Sequence, residues 1–317
     1  MMKKAILMAL LVFCVLPLLS QNKLGNEWIT GAGGQRIRFV GSSIISNNNV
    51  YYNSYFTKGN SNICDTNGHL LLCSDGYNVY DSNANYLDGG HTLIPIDFYL
   101  HEDGWSMYSQ SSIFLPMDSS IYYFITPTFS NAQFADCLSN NHCFFDLLLY
   151  NTIDMKANGG AGKVVKQMQP LMQNASLSKT QMMACKHSNG KDWWLLKQAG
   201  DSNIIYKFLF TQDSIYDKGK QIFSAPVWGG WDIRGQSVFS SDGSQYATTT
   251  HGGSSGQIFL ADFDRCYGIL SNPKVIIMPV GSQHDPADTT LPEHLSVGLA
   301  YSPNGKLLYV ISMSNIW

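Results

Sequence analysis

The stretch Lys186-His187-Ser188-Asn189-Gly190-Lys191-Asp192-Trp193-Trp194-Leu195-Leu196 decides the fold class. Asn-Gly accepts the positive φ angles of a two-residue hairpin turn, and an aromatic and apolar strand-forming run follows it at once. The stretch therefore reads as a strand, a reversal and a second strand. The same grammar recurs at Asn67-Gly68, Asp118-Ser119, Asp242-Gly243 and Asn304-Gly305, followed by strand-forming runs at 70–73, 121–124, 246–249 and 307–310. Successive turns lie 51, 71, 53 and 62 residues apart. That period exceeds a leucine-rich or ankyrin repeat and fits propeller blades with elaborated loops.

Two units show four plausible strands each, at 182–187, 192–197, 204–211 and 221–225, and again at 236–240, 245–250, 257–262 and 274–279. Four antiparallel strands per unit is the content of a blade. A helical reading fails because runs such as 121–125 are β-branched or aromatic and end at turn residues after strand length. The expected fold is all-β, a β-propeller of four-stranded antiparallel blades occupying residues 21–317. Four blades and part of a fifth are visible, so the propeller reads as truncated. Residues 28–40 are expected to contribute to a closure blade, because an open propeller would leave strand edges and an apolar face in water.

Residues 1–20 read as a secretory signal. Lys3 and Lys4 precede the apolar stretch 5–19, and the small Ser20 suits cleavage. Cys14 follows Val12-Phe13, which is not a lipoprotein context. No later stretch approaches the ~18 apolar residues of a transmembrane helix. The expected location is secreted or on the outer cell surface. The whole chain has 20 basic and 23 acidic residues, and removing the signal takes away two lysines, leaving 18 against 23. With no basic run, the chain lacks the charge that supplies non-specific nucleic-acid affinity.

Six cysteines follow the signal: Cys64, Cys73, Cys137, Cys143, Cys185 and Cys266. An even number in an exported chain favours disulfides, with 15 pairings open. Cys137 and Cys143 flank a short polar segment and form the favoured pair. The competing metal reading, with His142, offers three ligands and no fourth.

Three phrases go beyond general propeller grammar: Lys186 to Trp194, Gly235-Gln236-Ser237-Val238-Phe239-Ser240-Ser241-Asp242-Gly243, and Asp262-Phe263-Asp264-Arg265-Cys266-Tyr267-Gly268 continuing to Pro273. Together with Asn26-Glu27-Trp28 and Ser74-Asp75-Gly76, they resemble the N-terminal β-propeller (WD40/YVTN-like) region of large type IX-secreted surface proteins. The resemblance spans nearly all of 21–317. It implies a surface scaffold, with further blades and a C-terminal sorting domain of the same protein after Trp317. It brings no catalytic residues with it.

Most catalytic signatures are missing from the sequence: HExxH, a Walker loop and a Rossmann fingerprint are all absent. The Gly-rich stretch 251–256 lies between two expected strands, so it reads as a hairpin loop and not a phosphate cradle. His187 suits a structural hydrogen bond beside its turn better than a general base or ligand role. His284, Asp285 and Asp288, with Glu293 and His294, form the densest group of metal-ligand types. Calcium on Asp285 and Asp288 is the one cofactor they suggest, without EF-hand spacing behind it. Trp228 and Trp231, in Trp-Gly-Gly-Trp, are the candidate ligand platform for a sugar or a protein. The expected function is non-catalytic binding or display of a protein or glycan ligand at the cell envelope. The alternative is a lactonase-like hydrolase, which needs carboxylates or histidines converging from several blades on the central channel.

Overall fold

The computed structural model describes residues 23–47, 49–141, 143–224, 235–252, 255–277 and 296–312. The first sheet contains β1 (Glu27–Ala32), β2 (Gln35–Val40), β3 (Ser43–Asn47) and β4 (Tyr55–Phe56), in the order β3-β2-β1-β4. The second contains β5 (Ser61–Cys64), β6 (Leu70–Ser74) and β7 (Val79–Asp81) in sequence order. A seven-stranded sheet follows, from β8 (Ile113–Pro116), β9 (Ile121–Thr128), β10 (Phe145–Asp154) and β11 (Lys163–Lys186) to β12 (Trp193–Ala199), β13 (Ile204–Phe210) and β14 (Ile215–Ile222). The next sheet orders β15 (Ser237–Phe239), β16 (Gln245–Gly252), β17 (Ser255–Asp264) and β18 (Ile269–Ile277), and β19 (Ser296–Tyr301) pairs with β20 (Leu308–Ser312).

All pairings between these strands are antiparallel, and each of the five expected reversals joins paired neighbours. The seven-stranded sheet is two four-stranded units joined through β11, which has 24 residues. Its first part pairs with β10 and its last part with β12, and Leu177 stands opposite both Phe145 and Ala199. Left-handed backbone at Met168, Asn174 and Gln181 interrupts the strand. Sheets that follow one another in the chain pack side by side, giving an all-β propeller. Residues 28–40 build a sheet with β3 and β4, and among the described residues they do not pair with β19 or β20.

The reversals differ from the two-residue type expected for Asn-Gly. Only the glycines carry positive φ, at 88° for Gly68, 73° for Gly190, 71° for Gly243 and 69° for Gly305. The glycine N–H closes a four-residue turn, as in Gly190 to the His187 carbonyl at 2.9 Å and Gly243 to Ser240 at 2.8 Å. The preceding polar side chain caps the turn: Asn189 Oδ1 accepts from the Lys191 and Asp192 amides, and Asn304 Oδ1 from Lys306. A type I turn ending in a left-handed glycine meets the strand twist with one strained position instead of two.

The expectation of strands alone fails in two connections, which hold short helices at Ile96–His101 and Asn131–Asn140. Ser130 caps the second by accepting the Gln133 amide at 3.1 Å, and left-handed Asn141 ends it. Cys137 and Cys143 form a disulfide across that end. The remaining four cysteines are free thiols, so a framework of several disulfides is not what the chain builds. Cys64 stands opposite Leu70 and Cys73 opposite Asn62, which leaves the two out of register. Cys64, Cys73 and Cys185 are buried and serve as small apolar side chains.

The three phrases that carry the family resemblance meet in one interface between units. Trp194, 2% exposed, donates its indole N–H to the Arg265 carbonyl at 2.8 Å and meets Phe263 edge-on. Phe239 packs on Phe263 and Tyr246. His187 Nδ1 accepts the Asn189 amide at 3.0 Å, which leaves Nε2 to donate to the Cys266 carbonyl at 3.1 Å. These residues hold neighbouring units together, and His187 has the structural role its position suggested.

Candidate functional site

The β6–β7 reversal, Ser74-Asp75-Gly76-Tyr77-Asn78, is organised by a buried carboxylate. Asp75 Oδ1 accepts the amides of Tyr77 at 3.0 Å and Asn78 at 2.8 Å. Asp75 Oδ2 accepts the Ser54 hydroxyl at 2.7 Å, the Tyr80 hydroxyl at 2.7 Å and the Asn78 side-chain amide at 2.9 Å. Burial pushes the carboxyl above the usual range, against the pull of these donors. Gly76 has a φ of 106°, and a Cβ there would lie 2.4 Å from the Ser106 Cβ, so only glycine lets the two loops approach.

The segment after the helix Ile96–His101 is fastened to this turn. The Ser106 amide donates to the Asp75 carbonyl at 3.1 Å, and Asn78 Nδ2 donates to the Gly104 carbonyl at 2.9 Å. Left-handed Asp103 and Gly104 turn the chain out of the helix and place Trp105 beside Tyr55, with ring centroids 4.9 Å apart at 33°. On the other side Tyr80 stacks on Tyr86 at 4.8 Å, Tyr86 meets His91 edge-on at 4.6 Å, and His91 meets Tyr99.

Between these rings lies a groove of about 490 Å³ whose lining includes Tyr55, Tyr80, Tyr86, Tyr99 and Trp105. Asn53, Ser54, Asn78, Asp103 and Gly104 complete it. Burial, reinforced by the Asp75 charge, raises the Tyr80 phenol far above its ordinary value, and burial also raises Tyr99. Both stay neutral at physiological pH. The groove is a set of aromatic faces with exposed polar edges at Asn53 and Asp103, suited to binding.

A second cavity, about 440 Å³, opens where the edge strands β5, β8 and β15 approach the last part of β11. Its described lining includes Asn62, Gln110, Met182 and Gln236, with Lys58 as the one charged residue among them. Gln110 ties the loop before β8 to β15, donating to the Ser237 carbonyl at 2.8 Å and accepting the Ser237 amide at 2.7 Å. Among the described residues no carboxylate or imidazole lines this cavity, and no three His, Cys, Asp or Glu side chains gather as a metal site.

Trp228 and Trp231 lie between β14 and β15, outside the described residues, as do His284, Asp285 and Asp288 between β18 and β19. His142 and the signal segment are also outside them. Tyr55, Tyr86, Tyr99 and Trp105 were not singled out from the sequence. Their one signal is the neighbouring phrase Ser74-Asp75-Gly76, whose Asp75 holds Ser54, Asn78 and Tyr80 of the lining from behind.

No protein-family model matches the chain, and no curated protein matches it. A solved Bacteroides fragilis protein, provisionally assigned as a 6-phosphogluconolactonase, aligns over 90% of this chain and 88% of its own at 11% identity, with a TM-score of 0.39. A functionally unknown protein from Desulfotomaculum acetoxidans aligns over 90% and 75% at 12% identity, with a TM-score of 0.45. The Dos1 propeller aligns over 89% and 63% at 12% identity, with a TM-score of 0.40. At such identities and scores these likenesses carry no argument about function, and the propeller assignment rests on the chain's own sheets. No helix among the described residues is long and apolar enough to cross a membrane.

Proposed function

We propose that residues 21–317 are one exported propeller domain that binds a protein or glycan ligand of the cell envelope without catalysing a reaction. The role is that of the N-terminal propeller of type IX-secreted surface proteins, with export directed by residues 1–20. The observation that carries the reading is the aromatic groove, whose floor is locked by Asp75 and whose rim is left polar and open. A pre-organised aromatic surface of this kind suits ligand binding, because little side-chain entropy remains to be lost.

The test passes soluble envelope glycans and envelope proteins over the immobilised protein. Retention that survives chelation and is lost in Trp105→Ala supports the reading. Lactone hydrolysis that disappears on removal of divalent ions overturns it in favour of a hydrolase. Trp228→Ala and Trp231→Ala belong in the same assay, since that pair is the second proposed platform.

A further inference from the structure

Resting on the binding reading above, we infer that the groove takes a neutral sugar ring of a glycan chain. Charge narrows the ligand first. Among the described residues of the lining Asp103 is the one that is charged, and none is a lysine or arginine that could receive a phosphate, sulfate or uronate. A carboxylate at the rim repels such groups and accepts hydrogen bonds from hydroxyls.

Ring geometry narrows it further. Tyr55 is 49% exposed and Tyr86 47%, and Tyr55 is backed by Trp105 instead of being covered by it. A pyranose presents C–H groups on a face and hydroxyls around its edge. An aromatic face bordered by polar groups matches both surfaces at once. The side chains of Asn53 and Asp103 and the indole N–H of Trp105 have no hydrogen-bond partner among the described residues, so they are available to the edge hydroxyls.

Beneath them the structure is fixed. Asn78 uses both amide hydrogens, on Asp75 and on the Gly104 carbonyl, while its Oδ1 accepts the Thr92 amide at 2.9 Å. A rigid floor favours a ligand of fixed ring shape. A proline-rich peptide also packs on aromatic grooves. Its carbonyls can accept from the Trp105 N–H and the Asn53 amide, but it brings few hydrogens to the Asp103 carboxylate, whereas sugar hydroxyls serve donors and acceptor alike, so the sugar fits the whole lining better.

The experiment is isothermal titration of the full chain with neutral glucan, mannan and xylan oligosaccharides, an anionic galacturonan oligosaccharide and a proline-rich decapeptide. Near-UV circular dichroism checks the fold of each variant. The expected result is binding of at least one neutral oligosaccharide, weakened tenfold or more by Trp105→Ala and by Tyr55→Ala, partly kept by Trp105→Phe, and unchanged by Tyr267→Ala at a distant exposed ring. No neutral binding, or tighter anionic binding, overturns the inference. Peptide binding lost in Trp105→Ala overturns the glycan class and leaves the binding reading standing. Glycan binding untouched by both groove variants overturns the assignment of the site.

Discussion

Replacing Asp75 by asparagine tests the link between the fold and the groove. The side chains have nearly the same shape, so the change acts through charge and through one pair of hydrogens. If the amide oxygen keeps the backbone donors of Tyr77 and Asn78, the new NH2 faces the Ser54 and Tyr80 hydroxyls and the Asn78 amide. The hydroxyls can rotate to accept. The Asn78 amide cannot, because its other hydrogen is held by the Gly104 carbonyl. One buried donor facing another costs about 1–3 kcal/mol, and two hydrogen bonds lose their charge assistance. Relief of a buried charge offsets part of this. The net expectation is a loss of about 2 kcal/mol, read as a lower urea midpoint with unchanged slope. Displacement of Asn78 also loosens Gly104 and Trp105, so affinity for the groove ligand should fall by roughly tenfold, or about 1.4 kcal/mol. A variant within about 0.5 kcal/mol of wild type that binds normally would refute the claim that Asp75 organises the groove.

Other expectations follow from single contacts. Gly268→Ala should cost about 2–5 kcal/mol in urea unfolding, combining a left-handed backbone with a Cβ placed 2.4 Å from the Trp194 ring. Gly190→Ala, with similar φ and nothing within 4 Å, should cost only about 1–2 kcal/mol. Hydrogen bonds from Ser240 and Ser244 hold the Asp242 carboxyl down to about 2. Its contribution is present above the unfolded value of 3.8 and is lost as pH falls through about 2. Asp242→Asn keeps an acceptor in the turn, as Asn304 does in the matching one, but loses the charge, so it should be less stable than wild type at pH 7 and show less acid sensitivity in that window by circular dichroism. A thiol titration of residues 21–317 without reductant should find one reactive group, the exposed Cys266, when folded and four when unfolded. Reducing the Cys137–Cys143 bond, which closes a short loop, should cost about 2 kcal/mol in unfolding.

The propeller grammar was legible because turn chemistry is local. Asn189-Gly190 and Asn304-Gly305 must reverse the chain whatever surrounds them, and the strands beside them stand where β-branched and aromatic runs placed them. The turn type was not legible, because dipeptide preference does not say whether one residue or two goes left-handed. The helix Asn131–Asn140 carried a readable start in Ser130 and Gln133, hidden among strand signals. The continuity of β11 depends on neighbouring strands at both ends, which no local pattern encodes. The groove was least legible of all. Tyr55, Tyr86 and Trp105 lie up to fifty residues apart without periodicity, and Asp75, which joins the loops that carry them, looks in sequence like an ordinary turn aspartate. Of the phrases that carried the resemblance, the three longest report how units pack, with Trp194 on Gly268, and Ser74-Asp75-Gly76 reports the groove.

Hydrogen–deuterium exchange of the full chain, with and without the envelope ligand it retains, tests the central claim most directly. Binding at the groove predicts slowed exchange in 53–56, 76–81 and 99–106, with the turns at 67–68, 189–190 and 304–305 unchanged. Protection confined to those turns, or to the cavity around Gln110 and Ser237, would contradict it.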